Sequence, residues 1–231
     1  MAEKTAGFET GVHGNALAAA DAGDATAWTA VETPAFATYD STRVKDGSYS
    51  AQVVIPATRK VFYWSQSAVT DQYGRVYVYF TAVPTSTAVK FCGAESSGGV
   101  RAAYLAHTTS GKLSAISAGG TVITTTASIE LDRWVRIEWH FIHSDTTGQM
   151  EIKLFNDPNS ETPTEVQTSA SNIDTNASSN FFLFGKLDTD GSDGYTYWLD
   201  RIVAEATSYP GPVPFRYVPS QYLDYEFSHP A

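Results

Sequence analysis

Cysteine is nearly missing from this chain: among 231 residues there is one, Cys92. A lone thiol excludes an intrachain disulfide framework and any Cys-x-x-Cys metal or redox motif. A quiet buried thiol is the expected state of Cys92. Charge is scarce as well, at 17%, and basic residues are the scarcer kind, with 15 Lys and Arg against 25 Asp and Glu and a formal net charge of −10. No Lys/Arg cluster stands ready to neutralise phosphates, which argues against nucleic acid as a partner, and the same shortage argues against anionic membrane surfaces. No run approaches the ~18 apolar residues that would span a bilayer. Met1-Ala2-Glu3-Lys4 shows no basic stretch followed by an apolar one, so synthesis in the cytoplasm without a signal peptide is the expectation. Helical periodicity never exceeds about two turns. Ala16 to Ala22 and Ala127 to Asp132 each have room for one short helix.

What is present is alternation. Arg75-Val76-Tyr77-Val78-Tyr79-Phe80 and Trp134-Val135-Arg136-Ile137-Glu138-Trp139-His140-Phe141 switch apolar and polar with period two. That pattern writes a strand with one buried face, the signature of antiparallel layers. Short strands are predicted at Phe8–Gly11, Trp28–Val31, Ala35–Tyr39, Ser48–Ile55, Lys60–Ser65, Arg75–Ala82, Ala88–Ala94, Val100–His107, Leu113–Ser117 and Thr121–Thr125. Trp134–Ile142 and Gln149–Phe155 make the strongest hairpin, and Glu165–Thr168, Asn180–Lys186 and Tyr195–Glu205 follow. The sum is an all-β, antiparallel two-sheet sandwich of jelly-roll type over residues 1–209. Prolines 210, 212 and 214 cannot donate to a ladder, so the sheet ends there. Residues 210–231 form a Pro- and aromatic-rich extension. Its Phe215, Tyr217, Tyr222, Tyr225 and Phe227 are expected to bury against the chain's own sandwich or against a partner.

The order of motifs resembles the concanavalin A-like lectin/glucanase superfamily, in its laminin-G-like branch. It runs from Phe8-Glu9-Thr10-Gly11 through Asp46-Gly47-Ser48-Tyr49-Ser50, Val76-Tyr77-Val78-Tyr79-Phe80 and Leu131-Asp132-Arg133-Trp134-Val135-Arg136-Ile137-Glu138 to Tyr197-Trp198-Leu199-Asp200-Arg201-Ile202. The closing Tyr209-Pro210-Gly211-Pro212 resembles minor tail and other virion proteins of actinobacterial phages. Together these resemblances imply a non-enzymatic virion structural protein, in a tail or on a capsid surface. Its partners would be other virion proteins, further copies of itself and a host-surface glycan. The alternatives are a polysaccharide-degrading hydrolase or lyase, or a free carbohydrate-binding module. Fold analogy does not choose among them.

The residues bear on that choice. The glucanase branch is similar in carrying a Glu-x-Asp-x-x-Glu or Glu-x-Asp-x-Glu strand, and neither spacing occurs here. Glu138 and Glu151 could meet across the hairpin as acid and base, but solvated outer positions are the plainer reading. With Val135, Ile137, Trp139 and Phe141 turned inward, Arg136, Glu138 and His140 share the opposite face, with Tyr77 and Tyr79 beside them. These five form the candidate carbohydrate surface, offering ring faces for stacking and polar groups for hydroxyls. His13, His107, His143 and His229 stand isolated. In the loop Asp188-Thr189-Asp190-Gly191-Ser192-Asp193-Gly194, Asp188, Asp190 and Asp193 are either ligands of a structural calcium ion or members of a solvated turn. The resemblance adds a second calcium idea, at Glu9 and Asp200, against the plainer reading of paired polar strand ends.

Overall fold

The computed structural model describes residues 3–19, 26–33, 35–189, 195–205 and 207–213. Fifteen strands are formed: β1 (Lys4–Ala6), β2 (Ala30–Val31), β3 (Ala37–Asp40), β4 (Ser50–Val54), β5 (Lys60–Val69), β6 (Asp71–Phe80), β7 (Val89–Glu95) and β8 (Arg101–His107) come first. They are followed by β9 (Lys112–Ser117), β10 (Gly120–Ser128), β11 (Trp134–Ile142), β12 (Gln149–Phe155), β13 (Glu165–Thr168), β14 (Ser179–Lys186) and β15 (Thr196–Glu205). The first sheet has the order β13-β12-β11-β6-β15-β4-β3, with β1 paired to the end of β15. The second has the order β10-β9-β8-β7-β14-β5-β2. Every pairing is antiparallel.

The predicted alternation sets the core. Val76, Val78 and Phe80 of β6, Val135, Ile137, Trp139 and Phe141 of β11, and Met150, Ile152 and Leu154 of β12 all turn inward. They meet Phe62, Trp64, Phe91, Leu105, Phe182 and Phe184 of the second sheet. Across the layers Trp139 stacks on Phe182, with centroids 5.0 Å apart and planes at 7°. Gly74, opposite Trp139 in the ladder, makes room for that indole: a Cβ there would sit 2.0 Å from Trp139 Cζ2. Glycine in mid-strand weakens a ladder locally, and here the close approach of a large ring is the reason it is kept.

Two local expectations are corrected. Phe8–Gly11 is a turn, not a strand, and the edge strand lies earlier, at Lys4–Ala6. Phe8 takes a left-handed backbone (φ 63°), which drops its ring, fully buried, onto Trp28 and Phe62. Ala127–Asp132 holds no helix: β10 runs on to Ser128 and a loop follows. The helical room noted at residues 16–22 lies partly outside the described residues, and residues 16–19 are not helical. Cys92 is buried in the core, as expected, and burial drives its thiol pKa up.

Candidate functional site

The cross-strand register places all five predicted carbohydrate residues on the outer face of the first sheet. Trp134 lies opposite Tyr79, Arg136 opposite Tyr77, Glu138 opposite Arg75, and His140 opposite Tyr73. That face is roofed by the chain itself. Arg136, 1% exposed, donates from Nη1 to the Pro158 carbonyl (2.7 Å) and from Nη2 to that of Ser160 (2.6 Å). Its guanidinium lies 3.7 Å over the Phe155 ring, and its Nε is 3.0 Å from Glu138 Oε1, a charge contact without an aligned hydrogen bond.

A second segment, Tyr209 to Val213, crosses the same face as a strap. Arg75 Nη1 donates to the Gly211 carbonyl (2.6 Å), the Val213 N–H donates to Tyr77 Oη (2.7 Å), and Tyr209 Oη donates to Glu151 Oε1 (2.5 Å). Lys153 Nζ rests 3.4 Å from the Tyr209 ring centroid. Tyr77, Arg136 and Glu138 are therefore buried beneath the chain's own segments, and the expectation of solvated outer positions for Glu138 and Glu151 is corrected for Glu138. Burial raises the Glu138 carboxyl pKa against the pull of Arg136 and Arg75. Nor do the two glutamates pair directly, since Lys153 faces Glu138 and His140 faces Glu151.

Tyr79 and His140 stay half-buried. Tyr79 sits edge-on between Trp134 and Trp198, and Arg43 lies 4.3 Å over Trp198. His140 stacks on Tyr73 at 3.9 Å with Nε2 2.7 Å from Asp71 Oδ1. The strap is testable by itself. In Tyr77→Phe the Val213 amide loses its acceptor, and its hydrogen exchange should quicken about five- to tenfold, as expected for one hydrogen bond of roughly 1 kcal/mol, while core amides of β6 keep their rates.

Asp188 is ion-paired with Lys90, whereas Asp190 and Asp193 lie outside the described residues. Glu9 and Asp200 do converge, but on one turn: Glu9 Oε2 accepts the Ser48 N–H (2.8 Å), and Asp200 Oδ2 accepts those of Lys45 (2.9 Å) and Asp46 (3.2 Å). Among the described residues no group of three His, Cys, Asp or Glu is arranged to hold a metal ion. Of the histidines, His107 and His143 are buried, His13 accepts the Ser41 N–H at Nδ1, and His229 is outside the described residues.

An open cleft lies on the other side of the sandwich, on the outer face of the second sheet. It encloses about 370 Å³ and is lined by Glu32, Arg59, Tyr63, Glu95, Gly98, Gly99, Phe181 and Leu183. That is at the small end of the range of roughly 300–1,000 Å³ usual for ligand clefts. Its floor follows from alternation. Tyr63 pairs with Leu183, Leu183 with Gly93, and Gly93 with Tyr104, so a second apolar cluster covers this face. Gly93 lets Tyr104 lean across the ladder, because a Cβ would come 2.6 Å from Tyr104 Cδ1. The phenol then donates to Glu95 Oε1. Burial, reinforced by that carboxylate, holds the Tyr104 hydroxyl far above its ordinary pKa.

The polar wall is a fixed lattice. Arg59 Nη2 donates to both Glu95 oxygens (3.2 and 3.1 Å), and Nη1 donates to Glu32 Oε1 (3.2 Å). Glu32 Oε2 is in turn held by the Val61 N–H at 3.1 Å. A fork engaging carboxylates on both sides fixes orientation as well as charge. Tyr63 and Phe181 meet edge to face at 5.7 Å and offer half-buried ring surface beside it. The Gly98-Gly99 turn, with both residues at positive φ, keeps the rim free of side chains. Aromatic surface beside convergent donors and acceptors can take a polyhydroxylated ring. The sequence hinted at this site only in the period-two placing of Tyr63, Phe181 and Leu183 and in the Ser96-Ser97-Gly98-Gly99 turn. Glu32 and Arg59 come from separate loops and carry no pattern.

No protein-family model and no curated protein matches the sequence. Solved structures do match in shape. The cellulose-induced protein Cip1 superposes with a TM-score of 0.59 at 15% identity, over 91% of this chain and 100% of that one. An endo-β-1,4-glucuronan lyase from the fungus Trichoderma reesei gives 0.54 at 13% identity, over 78% and 91%. The binding domain of Paraclostridial Mosquitocidal Protein 1 gives 0.53 at 10%, over 85% of this chain and 47% of that one. Two antiparallel sheets in this arrangement, matched across enzyme and binding domain alike, give the chain a concanavalin A-like β-sandwich fold.

Proposed function

We propose that the chain is a non-catalytic glycan-binding sandwich that takes a short stretch of polysaccharide into the Tyr63–Phe181 cleft. The observation that carries this is the union, in one open cleft, of an aromatic pair with an Arg59 fork held between Glu32 and Glu95. The shape neighbours support it only through the fold, which serves carbohydrate-active enzymes and binding domains alike. Binding without turnover is favoured because the same guanidinium engages both carboxylates and Tyr104 also holds Glu95. With Arg59 bridging them, the two acids do not stand as an unpaired acid–base couple about a glycosidic bond. The degrading alternative draws on the same pair, and new reducing ends or unsaturated products from purified protein and polysaccharide would install it instead.

Placement in a phage particle, with adhesion to host glycan strengthened by many copies, is the wider reading. It rests on the resemblance of residues 209–212, and detection of the chain in purified virions tests it. For the cleft, a glycan array followed by calorimetry on the best ligand should show Tyr63→Ala and Phe181→Ala each weakening binding about tenfold, the effect of ~1.4 kcal/mol of lost ring contact. Unchanged affinity in both variants, with unfolding midpoints intact, overturns the cleft as the binding place.

A further inference from the structure

We infer that the cleft sorts its ligands by charge and that its preferred glycan carries free amines, whereas uronate polymers are turned away; this rests on the cleft's reading as a glycan site. Among the described residues its lining holds two carboxylates and one guanidinium, and no lysine or second arginine. The lining therefore sums to one negative charge, inside a chain whose own balance is −10.

How the three are joined decides what a ligand meets. Arg59 is held on both flanks, so a uronate arriving there would have to displace Glu32 or Glu95 from it. Glu95 is the firmer of the two, 3% exposed and gripped also by Tyr104. Glu32 is the more open of the two, with a third of its side chain exposed, as is a third of Arg59's. A carboxylate entering beside it meets like charge, the disposition by which interfaces exclude wrong partners. Each glutamate carboxylate has about four lone-pair sites, and Arg59, Tyr104 and the Val61 N–H use only some of them. An ammonium has donors to fill the remainder and no acceptor to conflict with them. The rings of Tyr63 and Phe181 add to the preference, since a cation near an aromatic face is attracted by its quadrupole. Arg101, opposite Glu95 in the ladder, donates to the Ala118 carbonyl and lies 5.8 Å over the Tyr104 ring, outside the cleft lining.

Four oligosaccharides of equal length test the inference by calorimetry at low salt: β-1,4-linked glucosamine, its fully N-acetylated counterpart, cello-oligomer and oligoglucuronate. The amine form should bind at least tenfold more tightly than the acetylated and neutral forms, and oligoglucuronate should bind most weakly. Glu32→Gln, which keeps an acceptor for Val61 and removes one charge, should cut the amine's advantage several-fold. Uronate binding as tight as the amine, or an amine advantage untouched by Glu32→Gln, overturns the charge selection while leaving the glycan site in place. Binding of none of the four overturns both the inference and the glycan reading of the cleft.

Discussion

Arg136→Ala should cost the protein about 3–5 kcal/mol of stability, the usual penalty for removing one partner of a buried ion pair. Three losses coincide. The carbonyls of Pro158 and Ser160 lose their donors, Phe155 loses the guanidinium over its ring, and Glu138 is left as a buried carboxylate without its nearest cation. Burial already raises the Glu138 pKa, and removal of Arg136 takes away the largest opposing influence. The sign follows. A carboxyl whose folded pKa lies above its unfolded one is neutral in both states at low pH and contributes nothing there. Its cost appears as pH rises through the unfolded value toward the folded one. The deficit of Arg136→Ala, measured by urea unfolding, should therefore shrink as pH is lowered. The paired replacement Arg136→Met with Glu138→Leu should recover most of the loss, because an apolar pair of similar volume leaves no charge behind. Equal deficits in the single and double variants would show that the carbonyl bonds, not the buried charge, dominate.

That contrast marks where sequence reading works. Val135, Ile137, Trp139 and Phe141 are buried as their alternation requires, and the hairpin of β11 and β12 has the predicted ends. Period two is a property of neighbouring residues and is written in the chain. It also says correctly that Tyr77, Arg136 and Glu138 point away from the core. It cannot say what lies over them. The roof comes from segments 22 to 136 positions away, and its bonds run largely to backbone carbonyls, which any residue supplies. The open cleft was illegible for a related reason. Its polar wall joins Glu32, Arg59 and Glu95 from three separate stretches, so the lattice exists only once β5, β7 and β14 are side by side. Phe8 shows the limit of propensity: a strand-like tetrapeptide becomes a turn because its ring gains more in the Trp28–Phe62 cluster than a short ladder would return.

Stability should fall as pH rises from about 4 toward 8, and Asp200 should be the principal cause. Asp200 lies in β15 opposite Tyr77 on the outer face of the first sheet, wholly buried, and burial drives its pKa up to about 8. Three backbone N–H groups, of Lys45, Asp46 and Arg201, pull the other way with the Arg201 guanidinium, and desolvation outweighs them. In the unfolded chain the same carboxyl titrates near 3.8. Below that value both states hold the proton and no pH dependence arises. Between the two values the folded state keeps a proton that the unfolded state has released, so each pH unit costs on the order of 1 kcal/mol. Above about 8 both states are ionised and the loss is complete. Asp200→Asn removes the titration. Its unfolding midpoint should be nearly flat over this window, although lower than wild type at acid pH, because an amide NH2 must face a backbone donor where an oxygen accepted one. Urea midpoints for both proteins at half-unit steps from pH 4 to 9 decide the matter: a wild-type curve as flat as that of Asp200→Asn means that the N–H donors, not burial, govern this carboxyl. The outcome bears on the Glu9 turn as well, since the residue that titrates is the one holding Lys45 and Asp46 against the sheet.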